Sequence, residues 1–220
     1  MQNTHNLVAD ALAAGASTFE PGAAKETRLH TAIEPELEFA FPEDTLVSRK
    51  GARLNLPGWA PQPGQIDVRL LREDGTTRLA FELKVDEIGQ SLWDMLKMAA
   101  AARDARTEAA YVVVAATARS WSHGRRAGTR FFRLSTGARC EVSLAELFAE
   151  YRREWRWHLA HDTGRVREFP DALELMQLGT FPAHGGYEVR ALAVRDAPDC
   201  AFRTQSSGWP TGLTPAADDS

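Results

Sequence analysis

The chain has 220 residues, 44% of them hydrophobic, and a formal net charge of −4. That length supports one substantial core with appendages, and the negative balance excludes an all-over basic coat, so any phosphate binding falls to local patches. Only two cysteines, Cys140 and Cys200, are present, and no signal peptide or run of membrane-span length is visible, which predicts a cytoplasmic protein without a disulfide framework.

Residues 6–14 place Leu7, Val8, Ala11 and Leu12 at helical spacing. They predict a short helix, followed by a small-residue linker through Gly15 and Pro21-Gly22, so that 1–24 forms an N-terminal appendage. A helix beginning near Thr27 is expected to stop or restart at Pro35. The segment 25–44 then ends in acids, Glu34, Glu36, Glu38, Glu43 and Asp44. Residues 46–56 read as a strand and turn with Gly51 at the bend, and the loop from Leu56 to Gly64 carries Trp59.

The next stretch, 65–85, reads as a β-hairpin turning at Asp74-Gly75, the dipeptide that most strongly favours a two-residue loop. With that loop, Glu73 pairs with Thr76 and Asp67 falls opposite Glu82. Ile66, Val68, Leu70, Leu79, Phe81, Leu83 and Val85 form a core face; Gln65, Asp67, Arg69, Arg78, Glu82 and Lys84 form the other, solvated one. Two carboxylates directly opposed across a ladder are about 5 Å apart and destabilise it, unless one holds a proton or a cation lies between them. Lys84, on the same face, supplies one charge. Mg²⁺ would supply more, with Asp67, Glu82 and the Leu83 carbonyl as hard oxygen ligands.

Asp67 followed by Glu82-Leu83-Lys84 resembles the D…(D/E)-x-K signature of the PD-(D/E)xK nuclease superfamily, with Ile66 where the naming proline would stand. The resemblance covers about residues 24–134 and implies a restriction-endonuclease-like αβββαβ core. It assigns Asp67 and Glu82 to Mg²⁺, with Mn²⁺ as a substitute, and Lys84 to positioning or activating the attacking water. It also implies a further Glu on the helix before the hairpin, for which Glu34 and Glu38 are the candidates. Some members carry a Gln followed four positions later by Tyr on the next helix; Gln90 matches the Gln, and Asp94 stands in place of the Tyr.

That next helix is expected over 86–106, with Ile88, Leu92, Met95, Ala99 and Ala102 inward and Gln90, Asp94 and Lys97 on a polar side. The valine-rich run 109–116 predicts a strand covered on both faces, reached by a right-handed crossover. Residues 119–139 then carry Arg119, Arg125, Arg126, Arg130, Arg133 and Arg139 without a single acid. Such a block suits phosphate contacts, with Trp121, His123 and Phe131 as stacking partners. Neither a Walker-type loop nor a Gly-x-Ser-x-Gly elbow is present.

A helix over 143–161 opens with the capping box Ser143/Glu146. A short helix over 170–178 begins at Pro170, and 187–194 alternates like a strand at a sheet edge or homodimer contact. The resulting expectation is a mixed-sheet α/β core over 25–140, a helical and strand extension over 141–203, and a flexible tail over 204–220. The function expected from the resemblance is a Mg²⁺-dependent endonuclease acting on DNA, in a restriction or defence setting. Its rival is a catalytically inactive module on the same fold that binds nucleic acid or a protein partner.

Overall fold

The computed structural model describes residues 2–59, 63–122, 128–151 and 168–204. In chain order its elements are α1 (Gln2–Thr18), α2 (Lys25–Ala40), β1 (Thr45–Ser48), β2 (Arg53–Leu54), β3 (Gly64–Gln65), β4 (Val68–Leu71), β5 (Thr77–Val85), α3 (Ser91–Ala102), β6 (Ala109–Thr117), α4 (Ala118–Ser122), β7 (Arg139–Ser143), α5 (Leu144–Glu150), β8 (Glu168–Pro170), β9 (Ala172–Pro182), β10 (Tyr187–Asp196) and β11 (Phe202–Thr204). Seven strands form one mixed sheet in the order β1-β4-β5-β6-β10-β9-β7. Only β5 and β6 run parallel, joined by α3; the other neighbours are antiparallel.

The sheet is covered on both faces because its central strands are apolar on both. Val112, Val114 and Ala116 of β6 pack with α3, Trp121 and α5, while Tyr111, Val113 and Ala115 pack with α1 and α2. Alternation in β5 divides in the same way, Ala80 toward α3 and Leu79, Phe81 and Leu83 toward α2. The face of the hairpin expected in solvent is therefore roofed by α3, and Glu82 is only 2% exposed.

The hairpin keeps its expected register by an unexpected route. Val68 faces Phe81, Arg69 faces Ala80 and Leu70 faces Leu79, as a two-residue loop requires. The loop itself has three residues: the Arg72 N–H bonds the Thr76 carbonyl at 2.9 Å, and Gly75 takes a positive φ of 75°. This is a turn closed by a left-handed glycine, the usual three-residue hairpin. Leu71 consequently faces Thr77 rather than Arg78. Arg78 is left as a bulge that absorbs the extra loop residue and restores the pairing beyond it.

Four other expectations change. The N-terminal appendage is a full helix in the core: Val8, Leu12 and Ala16 are buried, and a Cβ on Gly15 would meet the Ala32 carbonyl of α2 at 2.8 Å. α2 continues through Pro35, because the single backbone bond it forgoes is on the exposed side while Leu29, Ile33 and Leu37 bury the other. Residues 170–178 are not helical. They belong to β8 and β9, where Leu173 and Leu175 pack on one face and Leu178 on the other. β10 is interior, between β6 and β9, so it is not an edge. Among the described residues of the expected helical and strand extension, α5 is helical and β7, β9 and β10 join the central sheet. The Ser143/Glu146 capping box is present at α5; the rest of the expected 143–161 helix beyond Tyr151, and the tail from 205, lie outside the described residues. No helix among the described residues is long and apolar enough to cross a membrane.

Candidate metal and phosphodiester site

β4 begins at Val68, and Asp67, just before it, lies outside the ladder. Its backbone N–H still reaches the Phe81 carbonyl at 3.2 Å, while its carboxylate Oδ2 accepts the Leu83 N–H at 2.8 Å. A side chain thus replaces the strand's next backbone acceptor and ties Asp67 to the residue between Glu82 and Lys84. In an extended strand a residue's N–H and C=O point to the same side, so the Leu83 carbonyl also faces Asp67. The strand then closes at Asp86, whose φ is +63°. The Asp86 carboxylate is held by Lys25 at 2.6 Å and by the Tyr187 hydroxyl at 2.9 Å.

On the α3 side, Glu82 meets two lysines. The Lys97 ammonium lies 2.6 Å from Oε1 and the Lys84 ammonium 3.8 Å from Oε2. Burial pushes the Glu82 carboxyl well above its ordinary value; Lys97 opposes this, Asp94 and Asp67 add to it, and Lys84 opposes it. At 2.6 Å the contact is a hydrogen bond whichever partner holds the proton. Asp94, one turn before Lys97 on α3, is 5% exposed, and its Oδ2 has no hydrogen-bond partner among the described residues. Burial raises its carboxyl too, against Lys84 and Lys97. Burial works against the charge of Lys84, but Asp94, Glu82, Asp67 and Glu26 outweigh it and keep the amine more basic than usual.

On the α2 side, one ligand atom each from Glu26, His30 and Asp67 lie within 4.8 Å of one another. Helical spacing explains the pair, since residues four apart share a face. His30 is buried, and its Nδ1 is 2.7 Å from Glu34 Oε1. If that contact carries the proton, Nε2 is the nitrogen with a lone pair to offer, the usual way a carboxylate orients a ligating imidazole. Two carboxylates and an imidazole fit a divalent ion: the oxygens suit Mg²⁺, and the imidazole suits Mn²⁺ better.

The structure therefore brings together Asp67, Glu82, Leu83 and Lys84, and adds Glu26, His30, Asp94 and Lys97, which sequence reasoning did not assign to the site. Glu82 is not part of the converging group on α2. Glu38 is exposed, and lies 12 residues beyond Glu26 on the same helix, about 18 Å along the axis. Glu34 serves as the partner of His30. Gln90 is exposed, at the end of a 3-10 turn before α3.

Of the basic stretch, Arg119 is exposed on α4, which follows β6 at the sheet end where β5 finishes. Arg125, Arg126 and His123 lie outside the described residues. Arg130 pairs with Glu150 at 3.2 Å and stacks on Phe131, Arg133 donates to the Trp121 carbonyl, and Arg139 pairs with Glu174. Trp121 and Phe131, expected to stack on bases, are buried in the core. Their apolar area is spent on fixing the segment, Trp121 with its indole N–H on the Glu188 carbonyl at 3.1 Å. No family model, curated protein or solved structure matches the chain.

Proposed function

We propose that the chain is a divalent-metal-dependent nuclease that hydrolyses phosphodiester bonds, acting endonucleolytically on DNA. The observation that carries the reading is Asp67 bonded to the Leu83 N–H, with Glu82 and Lys84 on either side and Glu26 and His30 facing it. The succession α2, β1, β4, β5, α3, β6, with β5 and β6 parallel, supports a restriction-endonuclease-like αβββαβ core.

Asp67, Glu26 and His30 would hold Mg²⁺ or Mn²⁺, with the Leu83 carbonyl available beside them. When bound, the ion would lower the pKa of a water and neutralise charge on the phosphate. Lys84, kept charged by four surrounding carboxylates, would hold a phosphate oxygen or orient the attacking water. Arg119 and the stretch up to Arg133 would bind the backbone to either side. The test is cleavage of plasmid DNA with Mg²⁺ and with Mn²⁺: the wild type should nick it, and Asp67→Asn and Lys84→Met should not. Cleavage unchanged in both variants rejects the reading.

The rival is a catalytically inactive module that binds nucleic acid or a protein partner, and the close Glu82–Lys97 contact favours it. It is supported if the wild type binds DNA in a salt-dependent way without cutting it under either metal.

A further inference from the structure

We infer that Glu82 is the anchor of two lysines and not a ligand of the metal, which makes Lys97 a positioning residue of the site. The inference rests on the metal centre proposed for Asp67. Its starting point is the alternation of β5. Leu79, Phe81 and Leu83 point to the layer of α2, where Leu29, Ile33 and Leu37 cover them. Glu82 points the other way, with Ala80, to α3. Glu26 and His30 belong to α2, so they and Glu82 stand on opposite faces of the same strand. Asp67 can join the α2 donors because it has left the ladder at the start of β4, at the rim of the sheet.

The chemistry on the α3 face agrees with the geometry. Each Glu82 oxygen already faces an ammonium, at 2.6 and 3.8 Å, and the side chain is 2% exposed. A ligand needs an oxygen that can exchange water for metal; one of these is hydrogen-bonded to Lys97, the other faces Lys84, and the side chain is almost wholly shielded from water. What they do instead is fix the direction of Lys84. Lys97 holds one oxygen, which orients the carboxylate so that the other faces Lys84. Asp94, one turn away on α3, adds a second carboxylate beside the two half-buried ammonium groups.

The ligand assignment separates cleanly in calorimetric titration with Mn²⁺ alone. Asp67→Asn and His30→Gln should weaken Mn²⁺ binding by at least about 10-fold, the low end of what losing even an outer partner costs a metal site, while Glu82→Gln should weaken it by less than that. In DNA cleavage, Lys97→Met should lower kcat with the Mn²⁺ concentration for half-maximal rate unchanged, and Lys97→Arg should recover part of it. The double variant Glu82→Gln/Lys97→Met removes one carboxylate and one ammonium together and leaves Lys84 with Asp94, so it guards against a folding defect; it should bind Mn²⁺ like the wild type. Glu82→Gln weakening Mn²⁺ as much as Asp67→Asn, Lys97→Met retaining full kcat, or a wild type that binds no Mn²⁺ at millimolar concentration would each overturn the inference. Wild type that binds Mn²⁺ in the expected pattern but leaves DNA intact rejects the nuclease and leaves the ligand assignment standing.

Discussion

The two ends of β5 carry charged clusters of similar size and opposite character. At the start of the strand, Arg78 bonds Asp44 and Glu108, both at 3.0 Å, and stacks on Phe41; Arg72 and the Thr4 hydroxyl also reach Glu108. Burial works against the Glu108 charge there, but Thr4 and Arg78 outweigh it and hold the carboxyl below its ordinary value. At the end of the strand, burial wins. Glu82 and Asp94 are both pushed up, and one Asp94 oxygen has no hydrogen-bond partner among the described residues. The first cluster is matched charge by charge and adds stability. The second stores a cost, as sites that must meet a charged ligand commonly do.

The comparison can be broken at either end. The largest effect is expected from Lys84→Met, which should lower DNA cleavage by about 10³-fold, the scale of losing a positioned charge in a catalytic site, with little change in thermal midpoint. Arg78→Met should do the reverse. It strands the nearly buried Asp44 carboxylate and should cost about 3 kcal/mol in urea unfolding, with Mn²⁺ affinity preserved. An Arg78→Met protein as stable as wild type would mean that the matched cluster holds nothing together.

Smaller effects carry opposite signs in pH. Asp94 titrates higher in the folded chain than in the unfolded one, so its presence lowers stability as pH rises above the unfolded value. Asp94→Asn should therefore gain about 1 kcal/mol at pH 7, and the gain should vanish below about pH 4. Glu108 titrates lower when folded, so its contribution is present at neutral pH and lost as pH falls through the folded value. Glu108→Gln should cost about 1 kcal/mol at pH 7 and progressively less as pH falls through the folded value. Unfolding curves at pH 3 and 7 for the two variants check both signs. Parallel curves would erase the distinction between the two ends.

The central part of the fold was legible in the residues because its signals were consistent. The valine run of β6, the alternating β4–β5 pair and the Ser143/Glu146 cap all agree with their surroundings. β9 is hidden in the sequence because Ala172, Leu173, Glu174, Leu175, Met176 and Gln177 are good helix formers after a proline. Partners on both sides, β10 and β7, impose the extended form instead. In the site, the D…E-x-K spacing picked out three residues that do gather at one end of β5. Glu26 and His30 escape because a helix expected from Thr27 begins one residue too late to place them together. Asp94 and Lys97 fall on a polar side of the helix, and the sequence does not say what that side meets. Here that side faces the charged residues of a strand, a pairing that a single-segment periodicity does not reveal.

The bulge at Arg78 gives the hairpin one residue of slack. Deleting Arg78 would bring Leu71–Thr77 and Leu70–Leu79 together as successive pairs, so the ribbon would stay in step and Asp67 would stay beside Leu83, at the expense of the Arg78 contacts. Deleting a residue inside the paired stretch, such as Ala80, has no such slack to draw on and would carry Asp67 from Leu83 to Lys84. Length is therefore free to drift at the tip of this ribbon and fixed beyond it, where the distant carboxylate must find its place.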